Sequence, residues 1–165
     1  MNTFKKLLLL LMFPSLTAFA SPTKSFWLAG PMVKKEQAKR VIRRTAVVIL
    51  IAHKKVKEGK VYTGDLARAI AHQKFAIKLF REGKYFRAIH HSRRARVLAI
   101  AAIKANKGAE TSEMKYSKED ESALKGGPSD DELDKEVAKE MPAEAIAKDE
   151  DVIAAEPSVD LKSDE

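Results

Sequence analysis

The chain has 165 residues, with 31 Lys and Arg against 23 Asp and Glu, a formal net charge of +8 at pH 7 and no cysteine. The missing cysteine excludes disulfides, thiol catalysis, iron–sulfur clusters and a lipid anchor through an N-terminal cysteine. A small chain without disulfides has to hold together by packing or through a partner, which points to a small helical domain or an assembly component.

Residues 1–20, MNTFKKLLLLLMFPSLTAFA, place Lys5 and Lys6 ahead of a short apolar run and end in Ala18-Phe19-Ala20, a small-x-small cleavage signal. The run is shorter than the roughly 20 apolar residues of a membrane span. They are expected to be a signal peptide, leaving a periplasmic or secreted protein with no transmembrane segment after cleavage. Residues 21–32, with Pro22, Gly30 and Pro31, read as an irregular lead-in.

The fold class expected for the rest is all-α: a basic three-helix antiparallel bundle over residues 33–107 and an acidic tail over 108–165 that is disordered or sparsely helical. Val41, Thr45, Val48, Ile49, Ala52 and Val56 recur at helical spacing and predict a first helix over about 33–58, closed by Gly59 in a left-handed conformation. Its middle, TAVVILIA, is apolar on every side. Leu66, Ala69, Ile70, Ala76, Ile77 and Phe80 mark a second helix over about 65–81. Tyr85, Ala88, Ile89, Ala95, Ala99 and Ala102 mark a third over about 84–105. In the tail, Ser129 and Glu132 form a capping box and Pro142 ends the segment that follows. Its composition offers too little apolar surface to offset chain entropy.

One segment is written twice. GDLARAIAHQKFA (64–76) returns as GKYFRAIHHSRRA (83–95), 19 residues later. The shared turn glycine and alanines suit chain reversal and close helix approach, a packing device rather than a catalytic one. Within it, Ala76, Gly83, Tyr85, Ala88 and Ala95 occupy the small, turn-glycine, aromatic and alanine positions of a tetratricopeptide repeat, and residues 76–95 resemble the middle of such a helical hairpin. His72, Leu79 and Ser92 depart from that pattern, and the spacing of 19 is not the family's period near 34. The resemblance implies a peptide-binding groove and no enzyme activity.

His53, His72 and His91 are separated by that same offset, with His90 beside the last. Three antiparallel helices with turns near residues 61 and 83 would bring them to similar heights, a candidate zinc or copper site. A structural reading, in which each histidine bridges a helix interface, ranks above it. The sequence holds no phosphate-binding glycine loop, GxSxG or HExxH, and Ser92 beside His91 diverges from it on a helix, so no enzyme and no cofactor are expected.

Charge carries the strongest functional signal. Residues 21–107 hold 22 Lys and Arg against four acids, a net of +18; residues 108–165 hold 7 Lys against 19 acids, a net of −12. Lys34, Lys35, Lys39, Arg40, Arg43, Arg44, Lys54, Lys55, Arg93, Arg94 and Arg96 are the candidate anion-binding residues. The expected function is non-catalytic binding to an anionic surface or polymer, modulated by the protein's own acidic tail. Nucleic acid ranks below an envelope surface, because the chain is exported and its basic stretches lack interleaved aromatics. The alternative is a protein-interaction module or homo-oligomer that uses Val47, Leu50 and Ile51 of the first helix and the tetratricopeptide-like hairpin.

Overall fold

A computed structural model describes residues 35–155; the signal-peptide, lead-in and Lys34 expectations lie outside them. The described residues are all-helical, and no helix among them is long and apolar enough to cross a membrane. Three long helices, α1 (Lys35–Gly59), α2 (Asp65–Arg81) and α3 (Tyr85–Ala105), pack on one another. A 3-10 turn (Ser112–Met114) and four short helices follow: α4 (Lys118–Ala123), α5 (Asp130–Glu140), α6 (Pro142–Ala145) and α7 (Asp149–Ala154).

Turn chemistry explains the connections. Gly83 has φ +75 and ends α2, where its N–H bonds the Phe80 carbonyl and the Lys84 N–H reaches Leu79. Gly64 has φ +81 ahead of α2. The glycine common to both copies of the repeat is therefore a left-handed residue each time, a conformation that costs other side chains about 1 kcal/mol or more. The end of α1 differs from expectation. Lys60, not Gly59, takes the left-handed conformation. Gly59 is needed for a different reason: a Cβ there would fall 2.3 Å from Asn106 Oδ1. Asn106 accepts from the Val61 N–H and donates to the Val61 carbonyl, both at 3.0 Å, tying the end of α1 to the end of α3.

Along α1 all six periodic residues are buried. The apolar core forms two clusters, one around Val41, Phe75, Leu79 and Ile89, the other around Ile49, Leu66, Leu98 and Ile103. Between them a polar layer crosses all three long helices. Gln73 donates to the Ile42 carbonyl, Ser92 donates to Gln73, Thr45 donates to the Ser92 carbonyl, and Arg96 Nε donates to Thr45. Buried polar groups need such partners, since an unmade hydrogen bond costs about 1–3 kcal/mol each.

The short helices allowed for in the tail are present in residues 108–155, but they lie on the long helices rather than apart from them, with Met114, Leu133 and Val137 buried in doing so. Composition is a poor guide here because the tail's carboxylates find cations already in place and its few apolar residues point the same way. Asp149 shows the economy of this arrangement. Gly64 has no side chain to cap α2, and Asp149, almost fully buried, accepts from the Gly64 and Ala67 N–H groups at 2.8 and 2.9 Å. A carboxylate at a helix N-terminus meets both the open N–H groups and the positive end of the dipole.

Replacing Asn106 with Ala strands both polar groups of Val61. The expected outcome is a loss of about 2 kcal/mol, read as a lower urea midpoint by circular dichroism with the slope unchanged.

Candidate anion-binding face and its acidic cover

Helix periodicity puts Arg68, Arg87, Arg93 and Arg94 along the α2–α3 surface, and α5 lies across them. Its sequence explains the placement. Leu133 and Val137, one turn apart, face the long helices, and Asp130, Asp134 and Glu136 flank that stripe. Arg94 clasps Asp134 through Nε (2.8 Å) and Nη2 (2.7 Å) and reaches Asp130 through Nη1 at 2.9 Å. Arg93 also pairs with Asp130, Arg68 with Asp134 at 2.6 Å, and Arg87 with Glu136. Two-pronged guanidinium–carboxylate pairs are about twice as strong as neutral hydrogen bonds. Burial works against the Asp134 charge, yet the Arg94 hydrogen bonds and the charges of Arg94, His72 and Arg68 hold its carboxyl at about 2. The reciprocal effect raises Arg94, chiefly through its hydrogen bond to Asp134.

Beneath α5 sit two histidines. His72 and His91 are both buried, their Nδ1 atoms 3.1 Å apart and their rings stacked with centroids 5.4 Å apart. Their outer nitrogens face carboxylates, His72 Nε2 to Asp134 at 3.0 Å and His91 Nε2 to Glu136 at 3.1 Å. These are equivalent positions of the repeat. Because α2 and α3 run in opposite directions, the two copies meet at their own counterparts: His72 with His91, and Gln73 with Ser92. The repeated arginine behaves alike, Arg68 serving Asp134 and Arg87 serving Glu136.

The proposed three-histidine convergence does not form. Thr45 is level with Ser92, so His53 lies about 12 Å farther along α1 at 1.5 Å per residue. The assumption that failed is a tight turn between α1 and α2: residues 60–64 run back alongside the helices, so equal sequence distances from that turn are not equal heights. Among the described residues no three His, Cys, Asp or Glu are placed to hold a metal ion. His90 is also buried, edge-on to Phe86 and pressed by Gly127, and both of its ring nitrogens lack hydrogen-bond partners. Burial, then the charge of Arg93, pushes its imidazole down to about 4.

A second cluster involves α1 and α4. Asp120, fully buried, accepts from Arg40 (3.2 Å) and Arg44 (2.8 Å), and Glu119 adds a contact to Arg40. Arg96 belongs to the candidate anion-binding set by sequence, but it is fully buried and cannot face a solvent-borne anion. It donates to Thr45 and to the Lys115 carbonyl, and its guanidinium lies 4.2 Å from the centre of the Tyr116 ring. Burial lowers the Arg96 guanidinium and raises the Tyr116 phenol to about 12. Of the other candidates, Lys35 and Arg43 are exposed, Lys39 is half-buried, and Lys54 and Lys55 pair with Glu58 of their own helix.

Sequence reasoning missed Arg68, Arg87, Asp120, Asp134, Glu136 and Tyr116. A signal existed for four of them. Arg68 and Arg87 are identical in the two copies, and Asp134 and Glu136 belong to a helix already marked by its capping box. Comparison with known protein families, characterised proteins and solved structures yields no match.

The Asp134 carboxyl is held below its ordinary 3.8, so its contribution to stability is present above that pH and lost as pH falls toward about 2. Asp134→Asn is therefore expected to be less stable than the natural chain at pH 5. The gap in urea midpoint should close between pH 4 and 2; a gap constant across that range would contradict the assignment.

Proposed function

We infer that this chain is an exported, non-catalytic binding protein whose basic helical bundle engages an anionic surface or polymer, with its own acidic segment as the competing ligand. The finer fold reading belongs to the same proposal: α1–α3 form an antiparallel three-helix bundle that acts as a rigid base. The observation carrying this reading is that four arginines of α2 and α3 are occupied by three carboxylates of α5. A face that takes three carboxylates from its own chain has the donor geometry to take phosphates or carboxylates from another source. Excess positive charge over residues 21–107 supplies the long-range attraction. The tethered acids compete at an effective concentration on the order of millimolar.

A second reading rests on a separate observation. Val47 and Leu50 of α1 are 46% and 43% exposed, on the side of the helix that α2 and α3 leave bare. Such residues suit a protein partner or a second copy.

Two experiments separate the readings. Removing residues 108–165, or changing Asp130, Asp134 and Glu136 together to Ser in the full chain, is expected to tighten binding to phosphatidylglycerol vesicles by roughly tenfold or more. Added salt should weaken it. Unchanged binding by both proteins would remove the anionic reading. In sedimentation at high concentration, a self-association lost in Val47→Ser, Leu50→Ser would favour the apolar face instead.

A further inference from the structure

The contacts between α5 and the paired histidines do not balance for neutral rings. Three contacts run in series, Asp134 Oδ1 to His72 Nε2, His72 Nδ1 to His91 Nδ1, and His91 Nε2 to Glu136 Oε2, at 3.0, 3.1 and 3.1 Å. Each needs one proton. A neutral imidazole carries one N–H and one lone pair, and an ionised carboxylate only accepts. Two neutral rings therefore bring two protons to three contacts. If His72 donates to Asp134, its Nδ1 accepts from His91 Nδ1, and the His91 Nε2 lone pair is left facing Glu136. Starting from Glu136 merely moves the opposed pair to Asp134. A third proton closes the chain in either direction.

We propose that His72 and His91 form a proton-binding site which, when covered by α5, holds one proton more than two neutral imidazoles carry, so that α5 closes on the arginine face by taking a proton from solvent. This rests on the reading of that face as the anion-binding surface and names how its cover is regulated. The groups facing the pair are Arg68 from α2, Arg87, His90 and Arg94 from α3, and Asp134 and Glu136 from α5. Arg68 and Arg94 hold Asp134, and Arg87 holds the other oxygen of Glu136, so both carboxylates stay ionised and the added proton resides on the rings. Two negative ends compensate one positive charge. They do not compensate two: burial opposes charge on both rings, and a second added proton would set two positive rings against each other across the 3.1 Å Nδ1 contact.

The pH dependence follows from proton counting. With α5 detached, the rings lose both carboxylate partners and are neutral above the ordinary imidazole range. There the open pair holds two protons and the closed pair three, so closure weakens as pH rises, about tenfold per pH unit.

Hydrogen exchange of the amides in residues 130–140 of the full chain, corrected for intrinsic rates, reads this without any partner. It is therefore decided separately from vesicle binding. The open fraction should rise about tenfold between pH 7 and 8, while α3 amides remain protected. Glu136→Gln supplies the missing N–H covalently to His91 Nε2 and keeps a carbonyl for Arg87. Its α5 protection is expected to be flat from pH 7 to 8 and, at pH 8, to match or exceed that of the natural chain. A flat profile in the natural chain, or an unaltered slope in Glu136→Gln, overturns the proposal. Imidazole ¹⁵N spectra of the unsubstituted chain give an answer that needs no variant: three N–H groups on the pair at pH 7 support it, and two overturn it.

Discussion

The arrangement depends on one constraint: polar side chains placed in the middle of a helical core must find partners there. The repeat meets that constraint by pairing with itself. When two copies of one segment follow each other on antiparallel helices, the positions equally far from the turn between them face their counterparts. Here those positions are His72-Gln73 and His91-Ser92, and both pairs hydrogen-bond across the α2–α3 interface. Thr45 and Arg96 extend the network to α1. The apolar core is consequently split into two clusters with a polar layer between them. Such a layer fixes the height of each helix against the others, because sliding one by a turn would leave several buried donors unpaired.

The imidazoles are satisfied only on their inner nitrogens by that pairing, and α5 completes them from outside. This couples two parts of the chain that differ in charge and composition. The long helices carry arginines and half-satisfied histidines; the acidic segment has carboxylates at the spacing that reaches them, with Leu133 and Val137 sealing the contact. Each ion pair at partial exposure contributes modestly, typically under 1 kcal/mol. Carboxylates shared between two or three cations, as Asp130, Asp134 and Asp120 are, form networks that hold a register better than isolated pairs do. Asp149 anchors the far end by capping α2.

Not all buried polar atoms are satisfied. Both nitrogens of His90, His53 Nε2 and one Arg96 nitrogen have no hydrogen-bond partner among the described residues. For Arg96 the Tyr116 ring face offsets part of the cost of a buried cation, since the ring quadrupole attracts it. His90 lies under the segment that carries Gly127, where the acidic part of the chain covers the long helices. Packing there is set by the cover, and the cover is the least apolar part of the protein.

Much of the architecture was written in local pattern. Period-3.6 apolar spacing located the three long helices to within a few residues, glycines marked the reversals, and Ser129 with Glu132 marked the start of α5, because each of these signals is a property of neighbours along the chain. Helix one's burial pattern, from Val41 to Val56, could be read in the same way. What composition alone misjudged was the acidic segment: too polar to fold by itself, it is ordered by cations that belong to other helices, and no local property reports them. The histidines show the same division. Their spacing of 19 was visible, and it made His72 and His91 partners because α2 and α3 join through a tight glycine turn; it left His53 apart because residues 60–64 run back along the helices before α2 begins. Sequence determined which residues could pair; only the tertiary structure, through the length and path of two connections, decided which of them are level and therefore which carboxylates they meet.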